Sequence, residues 1–405
     1  MDRSKPFNNL RFSSKYEKEV LYLLISLMLV YAFLSIGSQV WRLLFDQSRL
    51  GAIDLLNIHY SVNSYFSGNK SNMPYPPASY SMLWPTVGWI NASTVRWIWF
   101  FLYFGVITWL SFLLIRESKA DKSSEKFFVV LLFLSINGTG QTIGTGQLGI
   151  FILPMLISGL VLIRENNSGS LWMDCAGAIL LTISFVKPHI SVPFFWMALF
   201  AGRLLPALII ILLYLLLSVI SATFQEPVLL LQLLDWLNQS SQLGAAAGRG
   251  SNNIHNLTTL LGGFGIDALN IKISIFLLFF LGIWVYLYRY IDIWILLGVT
   301  GLFARLWTYH RTYDDVLIIL PMIALFRLIK IGNLATKESM LASVLLLAVI
   351  VVNFLPSRIL HRFPSPWPEI YSLAHISVWV AILIFLLYIA RQQKRRIKRI
   401  DYKFS

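Results

Sequence analysis

The sequence predicts an all-α fold, a polytopic bundle of about twelve transmembrane helices within a range of roughly ten to thirteen. Two observations predict it. The 405 residues are 57% hydrophobic and only 13% charged, with a mean hydropathy of +0.68. Apolar runs of roughly 15 to 20 residues recur along the whole length, enough for helices to cross a bilayer. Strands of a membrane barrel would alternate apolar and polar residues, and these runs do not.

The first run, Val20 to Gly37, follows a charged stretch with no small-residue cleavage site after it, which reads as a retained span. Further spans are expected near 95–115, 126–137, 147–163, 171–186, 189–202, 204–222, 273–288, 291–306, 314–328, 339–355 and 373–390. A segment around 78–90 reads as re-entrant. Residues 1–390 then form one transmembrane domain with outer loops at 38–94 and 223–272, and 391–405 form a basic cytoplasmic tail.

Charge orients the bundle. With the N-terminus inside, about two-thirds of the 33 Lys and Arg residues fall in the N-terminal tail, the inner loops and the C-terminal tail, although the outer loops are longer. That is the positive-inside pattern of a multi-pass protein of a plasma or inner membrane, with both termini cytoplasmic. The net charge of +14 is accounted for by contacts with anionic lipid, without nucleic acid. The single cysteine, Cys175, permits no internal disulfide and no cysteine metal cluster.

The histidines are one-sided. His59, His189, His255, His310 and His361 fall in outer loops or at outer span ends, and His375 lies just inside the last span from that side. Either the outer loops simply hold most of the polar sequence, or one polar site lies on the outer face.

Four outer segments carry candidate chemistry. The first contains Asp46, Asp54, His59 and the corner Tyr75-Pro76-Pro77, where proline fixes the start of a helix. Asp54 reads as a solvated loop acid or helix cap, or as a general base for a hydroxyl acceptor. The second, Asn137 to Gln147, is rich in Gly and Gln. It reads either as a tight turn that lets helices pack closely or as a polar-ligand site. It lacks the Gly-Lys-Ser/Thr ending of a nucleotide loop.

The third is Phe185-Val-Lys187-Pro188-His189. Unpaired, such a lysine between apolar runs costs several kcal/mol, so Lys187 either snorkels to the interface or binds an anionic headgroup. The fourth runs from Arg305 through Tyr309, His310, Arg311 and Tyr313 to Asp314 and Asp315. Arg311 offers a fork suited to phosphate, and His310 can donate to it or protonate a leaving oxygen. An interfacial salt-bridge belt is the alternative. The loop 223–272 adds Trp236, Arg249, Asn253 and His255 and is long enough to lie over a site as a lid or as interfacial helices.

Taken together, these segments resemble the C-type superfamily of membrane glycosyltransferases. They are most similar to glycosyltransferase family 87, which includes polyprenol-phosphate-mannose-dependent mannosyltransferases. The resemblance rests on Asp54, His59-Tyr60, Gly68 and Tyr75-Pro76-Pro77 in that order, then Gly146-Gln147, Lys187-Pro188 and Tyr309-His310, over roughly residues 20 to 330. The segment before Pro74-Tyr75 is shorter than the family pattern, and His59 partly replaces an aromatic pair, so Asp46 stands as the alternative base.

The resemblance implies the C-type fold and an inverting cell-envelope transferase. A sugar, a mannose-like hexose, would pass from a polyprenyl-phosphate donor to a hydroxyl on a lipid or glycan acceptor. Asp54 would act as the base, and His310, the other catalytic residue, would act on the departing phosphate. Arg311, Lys187 and His189 would meet the phosphate, and His59, Tyr75, Gln147, Asn253 and His255 would position sugar and acceptor. A divalent cation is possible in the superfamily, but no tight acid cluster demands one, so no metal is expected. A lipid-linked glycan polymerase or ligase is the alternative, although Arg249 stands alone between Phe224 and Lys272. A transporter would need polar groups at mid-membrane on facing spans.

Overall fold

The computed structural model describes residues 14–48, 51–69, 71, 73–166, 168–226, 228–247, 271–308, 310–331, 334–354, 363, 364 and 366–404. Among these residues the chain is helical and contains no strand. In chain order the helices are α1 Ser14–Leu44, α2 Ile53–Phe66, α3 Pro77–Val87, α4 Ala92–Ser118, α5 Ser123–Leu134, α6 Asn137–Thr145, α7 Gly149–Glu165, α8 Leu171–Ser184 and α9 Pro188–Leu199. There follow α10 Leu205–Ala222, α11 Leu229–Ala247, α12 Ile271–Tyr288, α13 Ile293–Leu306, a 3-10 segment Thr312–Ile318, α14 Ile319–Ile331, α15 Thr336–Phe354 and α16 Trp367–Phe404.

Every apolar run read as a span carries a helix. Among the described residues, five helices are long and apolar enough to cross a membrane: Glu19–Leu44, Ala92–Ser118, Leu205–Ala222, Thr336–Phe354 and Ile370–Ile397. The pair α5 and α6 adds a sixth if its 54° bend is one broken span. Others fall short of the roughly 20 residues that a bilayer needs: α8 and α13 have 14 residues each and α9 has 12. The structure therefore supports a helical membrane protein with at least five candidate spans, and the expected twelve is not a count of full-length crossings.

One local expectation changes. The Gly-Gln segment is not a turn but the short helix α6, closed by Gly146 in the left-handed conformation at φ 79°. In the expected basic tail, residues 391–404 continue α16 as helix. Proline and capping residues explain several starts. Pro76 is extended and Pro77 opens α3. Pro188 opens α9 in the same way. Asn91 accepts from the Thr94 amide to cap α4, and Asp292 accepts from the Trp294 amide to cap α13, both at 2.8 Å.

Small residues let helices approach. A Cβ on Gly159 of α7 would stand 2.8 Å from the Gly177 carbonyl of α8, and one on Gly177 would stand 2.9 Å from the Gly159 carbonyl. At one end of the bundle, charged groups pair. Arg203 meets Asp174 at 2.9 Å and donates to the Ile163 carbonyl. Arg327 meets Asp292 at 2.9 Å and also donates to the Glu117 carbonyl. Lys330 meets Glu125 at 2.7 Å, and Arg164 donates to the Ile291 carbonyl. These are the positions that the charge pattern assigned to inner loops. The opposite end of α13 carries Arg305, and there the polar outer segments converge.

Gly146 fixes how two of those segments meet. A Cβ there would lie 2.3 Å from Leu55 Cβ, the residue next to Asp54. The Ala52 amide donates to the Gly144 carbonyl at 3.3 Å, which ties the start of α2 to the end of α6. Gly169 also has positive φ, 68°, but has open space around it. Gly169→Ala should therefore cost only backbone strain, about 1–2 kcal/mol. Gly146→Ala should cost a further ~1–3 kcal/mol from overpacking. Melting curves of the two variants in one detergent should show the larger drop for Gly146→Ala.

Candidate active site

The site is built on the contact between α6 and the 3-10 segment. Gly138 permits it: a Cβ there would sit 2.7 Å from the Thr312 carbonyl oxygen and 3.0 Å from Asp315 Cβ. Hydrogen bonds then lock the pair. The Thr142 hydroxyl lies 2.8 Å from the Tyr313 carbonyl and the Thr312 hydroxyl donates to Gln141 Oε1. The buried Tyr103 hydroxyl of α4 reaches the carbonyls of Gln147, at 2.5 Å, and Thr142, at 2.9 Å. The Gly-Gln segment thus serves as a close-packing element and also carries a polar site residue, Gln147.

Against this scaffold, the loop before α9 delivers Lys187. Its ammonium is buried and donates to Asp314 Oδ1 at 2.6 Å and to Gln147 Oε1 at 3.3 Å. It also lies 4.7 Å from the centre of the Tyr313 ring. His310 Nδ1 is 3.1 Å from the other Asp314 oxygen, and its Nε2 is 3.2 Å from the Thr308 hydroxyl. Burial pushes the His310 imidazole below its ordinary pKa, while the hydrogen bond that Asp314 accepts from it opposes the shift. The His189 ring stands 5.1 Å from the His310 ring, centre to centre. Trp307 anchors this segment by donating to the His189 carbonyl at 3.0 Å.

A second buried pair lies alongside. Arg305 Nε donates to Asp315 Oδ1 at 2.7 Å, and the guanidinium lies 4.9 Å from the Trp379 ring centre on α16. Acids and cations in this layer balance one for one: Lys187 with Asp314, and Arg305 with Asp315.

Asp54 approaches from the first turn of α2. It is half-buried, and its carboxylate has no hydrogen-bond or ion-pair partner among the described residues. Tyr75 lies near enough to feel the charges of both Asp54 and Asp314. Burial, then the charges of Asp54 and Asp314, push the Tyr75 hydroxyl above its ordinary pKa. Asp46 is placed differently. Its carboxylate accepts from the Ser48 amide at 2.8 Å, and its nearby charges are Arg42 and Arg96.

The structure thus brings together Asp54, Tyr75, Gln147, Lys187, His189 and His310. His59 is not brought in: its Nδ1 is 2.9 Å from the Val87 carbonyl, and Asn63 approaches the same nitrogen at 3.3 Å. That pairing ties α2 to the end of α3. Lys187 and His310 are not free groups awaiting an anion, because each is held by Asp314. Arg311 is exposed at the N-cap of the 3-10 segment. Asn253 and His255 lie outside the described residues, as do Arg249, Tyr309 and His361.

Asp314, Asp315, Arg305 and Tyr103 have no assigned role in the sequence reading. A signal for Asp314 exists: a lysine buried between apolar runs requires an acid on its own side of the membrane, and Asp314 is four residues from His310. Tyr103 has no such signal, being one aromatic among many in an apolar run.

A model of glycosyltransferase family 87 matches residues 74–330, more than half of the chain. The chain belongs to glycosyltransferase family 87. It is therefore a membrane glycosyltransferase, with a sugar donor and an acceptor. The match includes Tyr75, Gln147, Lys187, His189, His310, Arg311 and Asp314, and it begins after Asp54. No curated protein and no solved structure matches the chain.

The buried Lys187–Asp314 pair makes this family-87 site sensitive to removal of one partner. Asp314→Leu should cost about 3–5 kcal/mol by leaving the ammonium uncompensated. Adding Lys187→Met should recover most of that loss. A double-mutant cycle on thermal or denaturant unfolding in detergent measures the coupling, and simple additivity would contradict the pairing.

Proposed function

We propose that this enzyme moves a mannose-like hexose from a polyprenyl-phosphate donor to a hydroxyl acceptor at the outer face of the membrane. The carrying observation is the half-buried Asp54 carboxylate, which has no hydrogen-bond or ion-pair partner among the described residues and lies near Tyr75, which also feels the charge of Asp314. A general base needs a free lone pair, and the Asp54 carboxylate offers one.

In this reading Asp54 takes the acceptor's hydroxyl proton as that oxygen attacks the sugar's anomeric carbon. The bond from that carbon to the phosphate oxygen breaks, and its electron pair leaves with the phosphate. A single displacement inverts the centre and forms no covalent enzyme intermediate. The His189 ring has no hydrogen-bond partner among the described residues, and Arg311 is exposed. The His189 ring is the group offered to the phosphate, with the Arg311 guanidinium a second phosphate contact. Lys187 and His310 act behind them through Asp314, and Tyr75 and Gln147 position the reacting groups.

The charge balance supports the donor class. A sugar phosphodiester carries one negative charge, whereas a lipid diphosphate carries more. A cluster whose acids already neutralise Lys187 and Arg305 suits the singly charged donor better than the diphosphate of a glycan polymerase or ligase. The polyprenyl chain would lie against the apolar outer surface of the bundle.

The reading is tested with purified protein in lipid vesicles, supplied with polyprenyl-phosphate sugar, polyprenyl-diphosphate sugar or nucleotide sugar. Transfer should occur from the first alone. Asp54→Asn should insert and elute like the wild type yet lose about a hundred- to ten-thousand-fold in rate, the usual worth of a positioned base. Asp46→Asn should stay within a few-fold of wild type. Full activity in Asp54→Asn would remove Asp54 from the mechanism.

A further inference from the structure

His189, His310 and Asp314 each offer one ligand atom, and these atoms lie within 4.8 Å of one another. Two imidazoles and a carboxylate are a common donor set for zinc, cobalt, manganese or iron. The carboxylate already holds a cation, however. Lys187 Nζ is 2.6 Å from Asp314 Oδ1, and Gln147 and the face of Tyr313 enclose the same ammonium. The lysine side chain is 5% exposed and that of Asp314 is 2% exposed, so little water screens the pair.

We propose that Lys187 is the resident cation of this cradle and that its ammonium takes the place a divalent metal ion would occupy. A divalent ion on Asp314 would face the ammonium across a few ångströms of dry protein. The repulsion of a +2 charge by a +1 charge at that range opposes its entry. The cradle therefore holds a covalently tethered single positive charge, and sugar transfer runs without an added divalent metal. Without the ammonium, Asp314 becomes a buried uncompensated carboxylate between two imidazoles, which favours capture of a metal ion from solution.

The consequence for transfer rests on the function proposed above, whereas metal binding is read without any substrate. The probe is Co²⁺, added to the full-length protein in detergent at neutral pH. It is followed by its d–d absorption bands and by metal content after gel filtration. Wild type should retain no stoichiometric Co²⁺. Lys187→Ala should bind close to one equivalent with bands of a nitrogen and oxygen ligand set, and adding His310→Ala should abolish that binding. Lys187→Gln serves as a second variant, of similar length but uncharged, should Lys187→Ala fail to fold.

Stoichiometric Co²⁺ on wild type, lost on His189→Ala, would overturn the proposal by making the cradle a true metal site. So would folded Lys187→Ala and Lys187→Gln proteins that both bind none. Wild-type transfer should be unchanged by EDTA, and a loss restored by metal would likewise overturn it. Absent transfer combined with the expected Co²⁺ pattern would count against the proposed function while leaving the cradle standing.

Discussion

The ion pair between Lys187 and Asp314 is the constraint on which the rest of this site depends. A lysine and an aspartate this deeply buried are each costly alone, so the fold must bring them into contact. They come from segments 127 residues apart. Bringing them together requires the start of α9, the 3-10 segment before α14 and the α6–α7 junction to meet at one end of the bundle. His310 and Gln147 then satisfy the remaining valences of the pair, at 3.1 and 3.3 Å. What results is an internally neutral wall, with Asp54, Tyr75 and His189 beside it.

Close packing makes that meeting possible. Gly138 lets α6 touch the backbone at Thr312, and Gly146 lets the chain reverse beside Leu55. Glycines in a short helix weaken it in isolation, by roughly 1 kcal/mol each relative to alanine. Here the loss is offset by hydrogen bonds from Thr142 and Tyr103 and by the packing they permit. The same glycines place Asp54 and Gln147 in neighbouring turns, so Asp54 and the cluster share a scaffold. The opposite end of the bundle carries Arg203–Asp174, Arg327–Asp292 and Lys330–Glu125, pairs that hold helix ends together.

Much of the fold was legible in the sequence. Each long apolar run became a helix, because in hydrocarbon a backbone must satisfy its own hydrogen bonds. Length was less legible. Hydropathy finds where α8, α9 and α13 lie, but not that they end after 12 to 14 residues. Burial inside the bundle accounts for the apolar character of α13, whereas α8 keeps Leu171, Trp172 and Ile179 exposed. The Gly-Gln segment reads as a turn by composition, and tertiary contacts made it a helix.

For the site, the sequence by itself determined the membership of the family, and that Lys187 must be paired or reach water. It also identified Asp54, Tyr75, Gln147, Lys187, His189 and His310 as residues to watch. Only the tertiary structure decided who pairs with whom. It gave Lys187 to Asp314, tied His59 to the Val87 carbonyl and left Asp54 without a partner while Asp46 was capped by Ser48. The physical reason is one of range. Hydropathy and charge patterns report how each segment meets solvent or lipid. An ion pair spanning 127 residues depends on helix positions that no local pattern encodes.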